Sequence, residues 1–114
     1  MSVPPPPPES VALLDQLLTS LFDDFETWFR RGLVLLDCAP ESLLPAAERE
    51  QLRADLSEGL AGLAATRALR RASPTPMAVD MDAMTPWHRL MMRVWNLSSQ
   101  LRGAGLPLPD QDAP

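Results

Sequence analysis

The chain has 114 residues, 46% of them hydrophobic and 22% charged, with 13 prolines, one cysteine and a formal charge of −5 at pH 7. That length holds one small domain, since cores of this kind come at roughly 100–150 residues each. A single cysteine closes no internal disulfide, and the acidic balance excludes a general nucleic-acid binder, whose phosphate contacts need a basic footprint.

The N-terminal stretch MSVPPPPPES has neither the basic nor the apolar region of a secretory signal, so the protein is expected to stay in the cytoplasm. Pro4 to Pro8 predict a short polyproline II stretch, because each ring fixes φ and removes a donor. Residues 1–9 are therefore expected to form a stiff disordered arm, with no flanking aromatic or basic residue to mark them as a ligand for a proline-binding groove. No apolar run reaches the ~18–20 residues that cross a bilayer, since Asp15, Asp23, Asp24, Arg30 and Arg31 interrupt the longest one.

A single domain of three helices is expected over residues 10–102. The first helix is predicted over about 10–37, with Ser10 as its N-cap and the Ala39-Pro40 step blocking its continuation. At 100° per residue, Leu14, Leu17, Leu21, Phe22, Phe25, Trp28, Phe29 and Leu36 share one apolar arc of roughly 160°. Asp23, Glu26 and Arg30 lie opposite, Glu26 and Arg30 at ion-pair spacing.

A second helix is predicted over about 45–72, opened by Pro45 and stopped before Ser73-Pro74. Leu52, Leu56, Leu60 and Leu63 make its narrow stripe, and Gly59 and Gly62, unfavourable in an exposed helix, mark a packing contact or a bend. Acidic residues fill its first half while Arg67, Arg70 and Arg71 fill its last turns, which complements the macrodipole.

Residues 73–84 read as an ordered crossing loop. Thr85 as N-cap and Pro86 as first helical residue then open a third helix over about 85–102, ending before Gly103. Trp87, Leu90, Met91, Val94, Leu97 and Leu101 form its apolar face, with His88 and Trp95 on the flank. The breaker-rich stretch 103–114 is expected to be a disordered tail.

No strand-period run competes, so the fold class is all-α: a helical hairpin with a third, shorter helix, a three-helix bundle. The first helix spans about 40 Å and the third about 25 Å, so the third cannot cover the whole hairpin. Phe25, Trp28, Trp87, Met91 and Val94 are expected in the core. Phe22, Phe29 and Leu36 are expected to need a further partner, a homodimer or another protein, with His88, Met92 and Trp95 as an outward rim.

Chemistry is thinly represented. Cys38 and His88 are the only residues of their types and lie in different elements, a weak nucleophile and base pair. Metal, nucleotide and dinucleotide signatures are missing, so no cofactor, metal or catalytic residue is expected. Asp80 and Asp82 lack the further oxygens of a calcium loop and are expected to bond local amides.

Two stretches, LLDQLLTSLFDDFETWFRRGLVLL and TPMAVDMDAMTPWHRLMMRVWNLSSQLR, resemble a cyanobacterial family of short uncharacterised helical proteins, some labelled thylakoid-associated. The resemblance spans about residues 11–103 and includes Asp24-Phe25, Trp28-Phe29, Arg31, Pro86-Trp87-His88 and Trp95. It implies a photosynthetic bacterium and a peripheral place at the thylakoid, and it moves weight to the Trp28-Phe29 and Pro86-Trp87-His88 segments, which are expected to meet, with Trp28 packed beneath the start of the third helix and Trp95 and Phe29 as an outward contact rim. The reading is a non-enzymatic interaction or assembly factor. Its rivals are a peripheral membrane binder acting through the first helix and a small-ligand binder or enzyme built around His88, Trp87 and Asp80.

Overall fold

A computed structural model describes residues 8–73 and 81–108 of the chain. It shows an all-α helical bundle: α1 (Pro8–Cys38), α2 (Ala46–Ala72), one 3₁₀ turn (Met81–Met84) and α3 (Thr85–Gly103). No strand occurs among the described residues.

The helix ends differ from the sequence expectations in ways the termini explain. α1 opens at Pro8, so Ser10 lies inside the first turn and is not its N-cap; a proline needs no amide partner at that position. Likewise Thr85 is helical and Met84 holds the cap position of α3, because the 3₁₀ turn feeds directly into the helix. The crossing loop expected over 73–84 lies, for residues 74–80, outside the described residues.

α3 closes on a Schellman motif. Gly105 takes φ +73°, Leu106 N–H donates to Leu101 O at 3.1 Å and Gly105 N–H to Arg102 O at 3.0 Å. The stop is thus set by Gly105, two residues past the expected Gly103. Leu106 and Leu108, expected in the tail, pack half-buried against the core.

α1 and α2 run antiparallel, as three crossing ion pairs show: Arg70 with Asp15, Arg67 with Asp23 at 2.8 Å, and Arg53 with Asp37 at 3.1 Å. α3 runs parallel to α1, with Trp87 against Phe22 and Phe25 near its start and Trp95 against Trp28 two turns later. The core between the three helices is built on Phe22, Phe25 and Phe29 of α1, Leu56 and Leu63 of α2, and Val94 and Leu101 of α3. Two glycines let the helices close. A Cβ at Gly32 would stand 2.8 Å from Val94 Cγ2 and 2.9 Å from Leu56 Cδ1; one at Gly59 would stand 2.9 Å from Leu90 Cδ2.

Candidate docking surface

The residues expected to seek a partner do not form one surface. Phe22, Phe29 and Leu36 are each 0% exposed within the single chain, which overturns the expectation that they dock onto something else. The physical reason is the width of the arc. Two neighbours, α2 on one side and α3 on the other, need the whole breadth of apolar surface that α1 offers, so a wide arc is no surplus.

The shortage lies along the axis instead. α3 begins over Phe22 and Phe25, so among the described elements the first turns of α1 are braced by α2 alone. Leu13 (57% exposed), Leu14 (51%) and Leu17 (59%) stand open there, with Leu69 of α2 (58%) across the gap. Single exposed leucines need no explanation, but four at one end of a small bundle form a patch of the kind that contacts use.

Further along, His88, Met92 and Trp95 follow one another at i, i+4 and i+7 on α3 and are all exposed. His88 sets its ring edge-on to Phe25, at 6.3 Å and 89°. Trp95 stands edge-to-face with Trp28, centroids 5.6 Å apart at 77°. The two indoles wall a cleft of about 160 Å³ that continues over Ser98, Ser99 and Arg102. Ser98 is buried and its Oγ has no hydrogen-bond partner among the described residues, a state that ordinarily costs about 1–3 kcal/mol unless something else satisfies it.

These contacts redraw the expected meeting of segments. It is Phe22 and Phe25, not Trp28, that lie beneath the start of α3, because α3 enters the bundle one turn earlier on α1. Phe29 is not part of an outward rim: it stacks on Phe25 at 5.9 Å and lies under Gly59. Trp28 and Trp87 are half-buried, whereas Phe25, Met91 and Val94 are buried.

A broader groove of about 460 Å³ lies between α2 and α3, floored by Gly59 and Gly62 and walled by Trp87, Glu58 and Arg89. Arg93 crosses it to Asp55 at 2.8 Å, and this charged hydrogen bond, helped by one from Gln51, holds the Asp55 carboxyl below the usual carboxylate range despite some desolvation. The bridge closes one end of the groove.

The arginines expected to serve the macrodipole do more than that. Arg67 and Arg70 place their guanidinium groups 5.9 and 5.3 Å from the Phe22 ring centroid while pairing with Asp23 and Asp15. Arg49 was not singled out by any motif, yet it donates to Leu36 O, to Ala39 O at 2.7 Å and to Leu44 O at 3.4 Å, tying the end of α1 to the connection. A cation three residues inside a helix that follows a Pro-bounded turn was the available signal.

Chemical groups stay apart. Cys38 is exposed at the far end of α1, thirteen residues or about 20 Å of helix beyond the ring that His88 touches. Among the described residues no three His, Cys, Asp or Glu side chains gather to hold a metal ion, and no helix is long and apolar enough to cross a membrane. Asp80 lies outside the described residues, so its expected place beside His88 and Trp87 is not on view.

Fold and surface together define a small helical bundle with an exposed leucine patch at one end and an indole-walled cleft on its flank. The chain belongs to the family described as protein of unknown function DUF2605, whose model matches residues 8–103. No curated protein and no solved structure matches it.

Proposed function

We infer that this protein is a non-enzymatic interaction module that docks another polypeptide on the open end of the α1–α2 hairpin. The observation that carries this reading is the set Leu13, Leu14, Leu17 and Leu69, each more than half exposed, while Phe22, Phe25, Phe29, Leu35 and Leu36 further along α1 are sealed. Burying leucine surface yields roughly 25 cal/mol per Å², so a partner that covers this end gains directly from it. An accessory or assembly role is the biological form such a module takes, and the likeness to thylakoid-labelled cyanobacterial proteins supports a place at the cytoplasmic face of that membrane.

A lipid surface is the less favoured occupant. Interfacial helices carry a basic polar face, whereas the polar side of α1 carries Asp15, Asp23 and Glu26, and Arg67 and Arg70 are committed to two of these carboxylates. A photo-crosslinking residue in place of Leu17, in the native cell, tests the reading. A discrete polypeptide adduct, copies of this chain included, that fades in a Leu13→Ser/Leu69→Ser background is expected. Adducts to lipid alone, or none, would overturn it.

A further inference from the structure

We propose that the Trp28–Trp95 cleft is a proline-binding site and that its occupant is the Pro4–Pro8 run of a second copy of this chain, exchanged across an antiparallel α1–α1 dimer. The proposal rests on the interaction reading above and names its partner.

The cleft has the chemistry that a polyproline strand recognises. Polyproline segments dock in grooves lined by aromatic rings, where the pyrrolidine rings pack on the indoles and the tertiary-amide carbonyls accept hydrogen bonds. Trp28 and Trp95 stand edge-to-face, which leaves an angled slot between ring faces. Ser99 and Arg102, both exposed, continue it with donors. A strand that carries carbonyls and no amide donors suits a cleft whose accessible polar groups are a hydroxyl and a guanidinium.

The chain carries such a strand and cannot use it on itself. Pro8 is the first residue of α1 and Trp28 lies twenty residues on, about 30 Å along the helix. From Pro8 to Pro4 the run reaches at most about 14 Å even when fully extended. Its own cleft is out of range by a factor of two, so the run that fills it belongs to another copy.

One register joins the two copies. Leu13, Leu14, Leu17, Leu21, Asp24 and Trp28 fall within an arc of about 100° on α1, the first three of them widely exposed. Two such helices packed antiparallel with Leu17 on the two-fold axis set residue 17+k against residue 17−k. Leu13 then meets Leu21, and Asp24, the one charge on this arc between Ser10 and Trp28, meets Ser10 at the amino end of the other α1, where a carboxylate is favoured by the helix dipole. Pro8 of the second copy falls opposite Glu26, two residues short of Trp28. From there the run, rising about 3.1 Å per residue, extends some 12 Å along the direction in which the cleft goes from Trp95 towards Arg102.

The area argues for both contacts together. The leucine patch supplies a few hundred Å² per copy, below the ~800 Å² per partner of a standard interface. Two exchanged arms in two aromatic clefts supply what the leucines lack.

Sedimentation equilibrium of the purified full chain, from about 1 to about 300 μM, tests this, that being the range in which so small a patch associates. The native chain is expected to dimerise, and Leu17→Asp to remain a monomer. Trp95→Ala, which changes no buried residue, and a Pro5→Ser/Pro6→Ser/Pro7→Ser chain are each expected to weaken the dimer at least about tenfold, since each loses two aromatic contacts per dimer. An equimolar mixture of those two variants is then expected to associate more tightly than either alone, because the mixed dimer regains one intact arm in one intact cleft. A native chain monomeric throughout overturns the second copy as partner; a polypeptide adduct at position 17 in the cell would still stand and keep the broader reading distinct. Proline-to-serine chains that dimerise like the native one, or a mixture that recovers nothing, overturn the cleft as the site of the run.

Discussion

Two glycines in this bundle look alike in the sequence and have opposite roles. At Gly32 the added methyl of an alanine would sit 2.8 Å from Val94 Cγ2, a β-branched and fully buried group that has one comfortable rotamer. Overpacking of that kind costs about 1–3 kcal/mol, against a gain near 1 kcal/mol in helix propensity. At Gly62 the nearest atom is Trp87 Cζ2 at 3.5 Å, an ordinary contact. Gly62→Ala is therefore expected to stabilise the protein by about 0.5–1 kcal/mol and Gly32→Ala to destabilise it by about 1 kcal/mol, the two being compared by urea denaturation. If both shifted in the same direction, the close approach of α3 and α2 at Gly32 would not be what requires glycine there.

Between elements, single arginines decide how the helices are joined. The last carbonyls of α1 have no helical partners, and Arg49 supplies donors to three carbonyls at the α1–α2 connection from inside α2. Arg49→Met keeps much of the stem and removes the charge, and is expected to lower stability by about 1.5–3 kcal/mol. Arg49→Lys is expected to recover only part of it, since an ammonium does not reproduce the fork that spans these carbonyls; full recovery in thermal melts would show that charge alone suffices.

The Arg93–Asp55 tie across α2 and α3 titrates. Its carboxyl is held below the usual range, so its contribution is complete above the unfolded carboxyl's pKa and lost as pH falls through the lowered value. Asp55→Asn should thus cost from a few tenths to about 1 kcal/mol near neutrality, as half-exposed pairs do, and nothing in strong acid. A cost that persists at low pH would point to packing instead. None of these partners was legible in the chain, because Arg49, Arg53 and Arg93 meet carbonyls or carboxylates 10, 16 and 38 residues away, and periodicity reports only a residue's own helix face.

At the scale of the molecule, what the sequence made legible was helix number, apolar faces and the mismatch in length; what it hid was where the mismatch falls. Phe22 and Leu14 lie in the same arc of α1, and nothing local says that the first is sealed by Trp87 and Arg70 while the second stands open. That outcome depends on the axial position of α3, which follows from Trp87 seating on Phe22, Phe25 and Gly62, a long-range fit. The unequal bracing should appear in amide exchange. Around Phe25 to Leu36 all three helices share a core, and exchange there should require global opening. Amides of Leu13 to Leu17 on α1 and of Arg67 to Ala72 on α2, braced by one neighbour among the described helices, should exchange through local fraying at several kcal/mol less in a dilute sample. If the open end is where the chain meets its partner, protection of Leu13 to Leu17 should rise with protein concentration or on adding that partner, while the Phe25 to Leu36 amides change little. Equal protection along the whole of α1 in dilute solution would mean that the hairpin end is already held, and that its leucines are not waiting for anything.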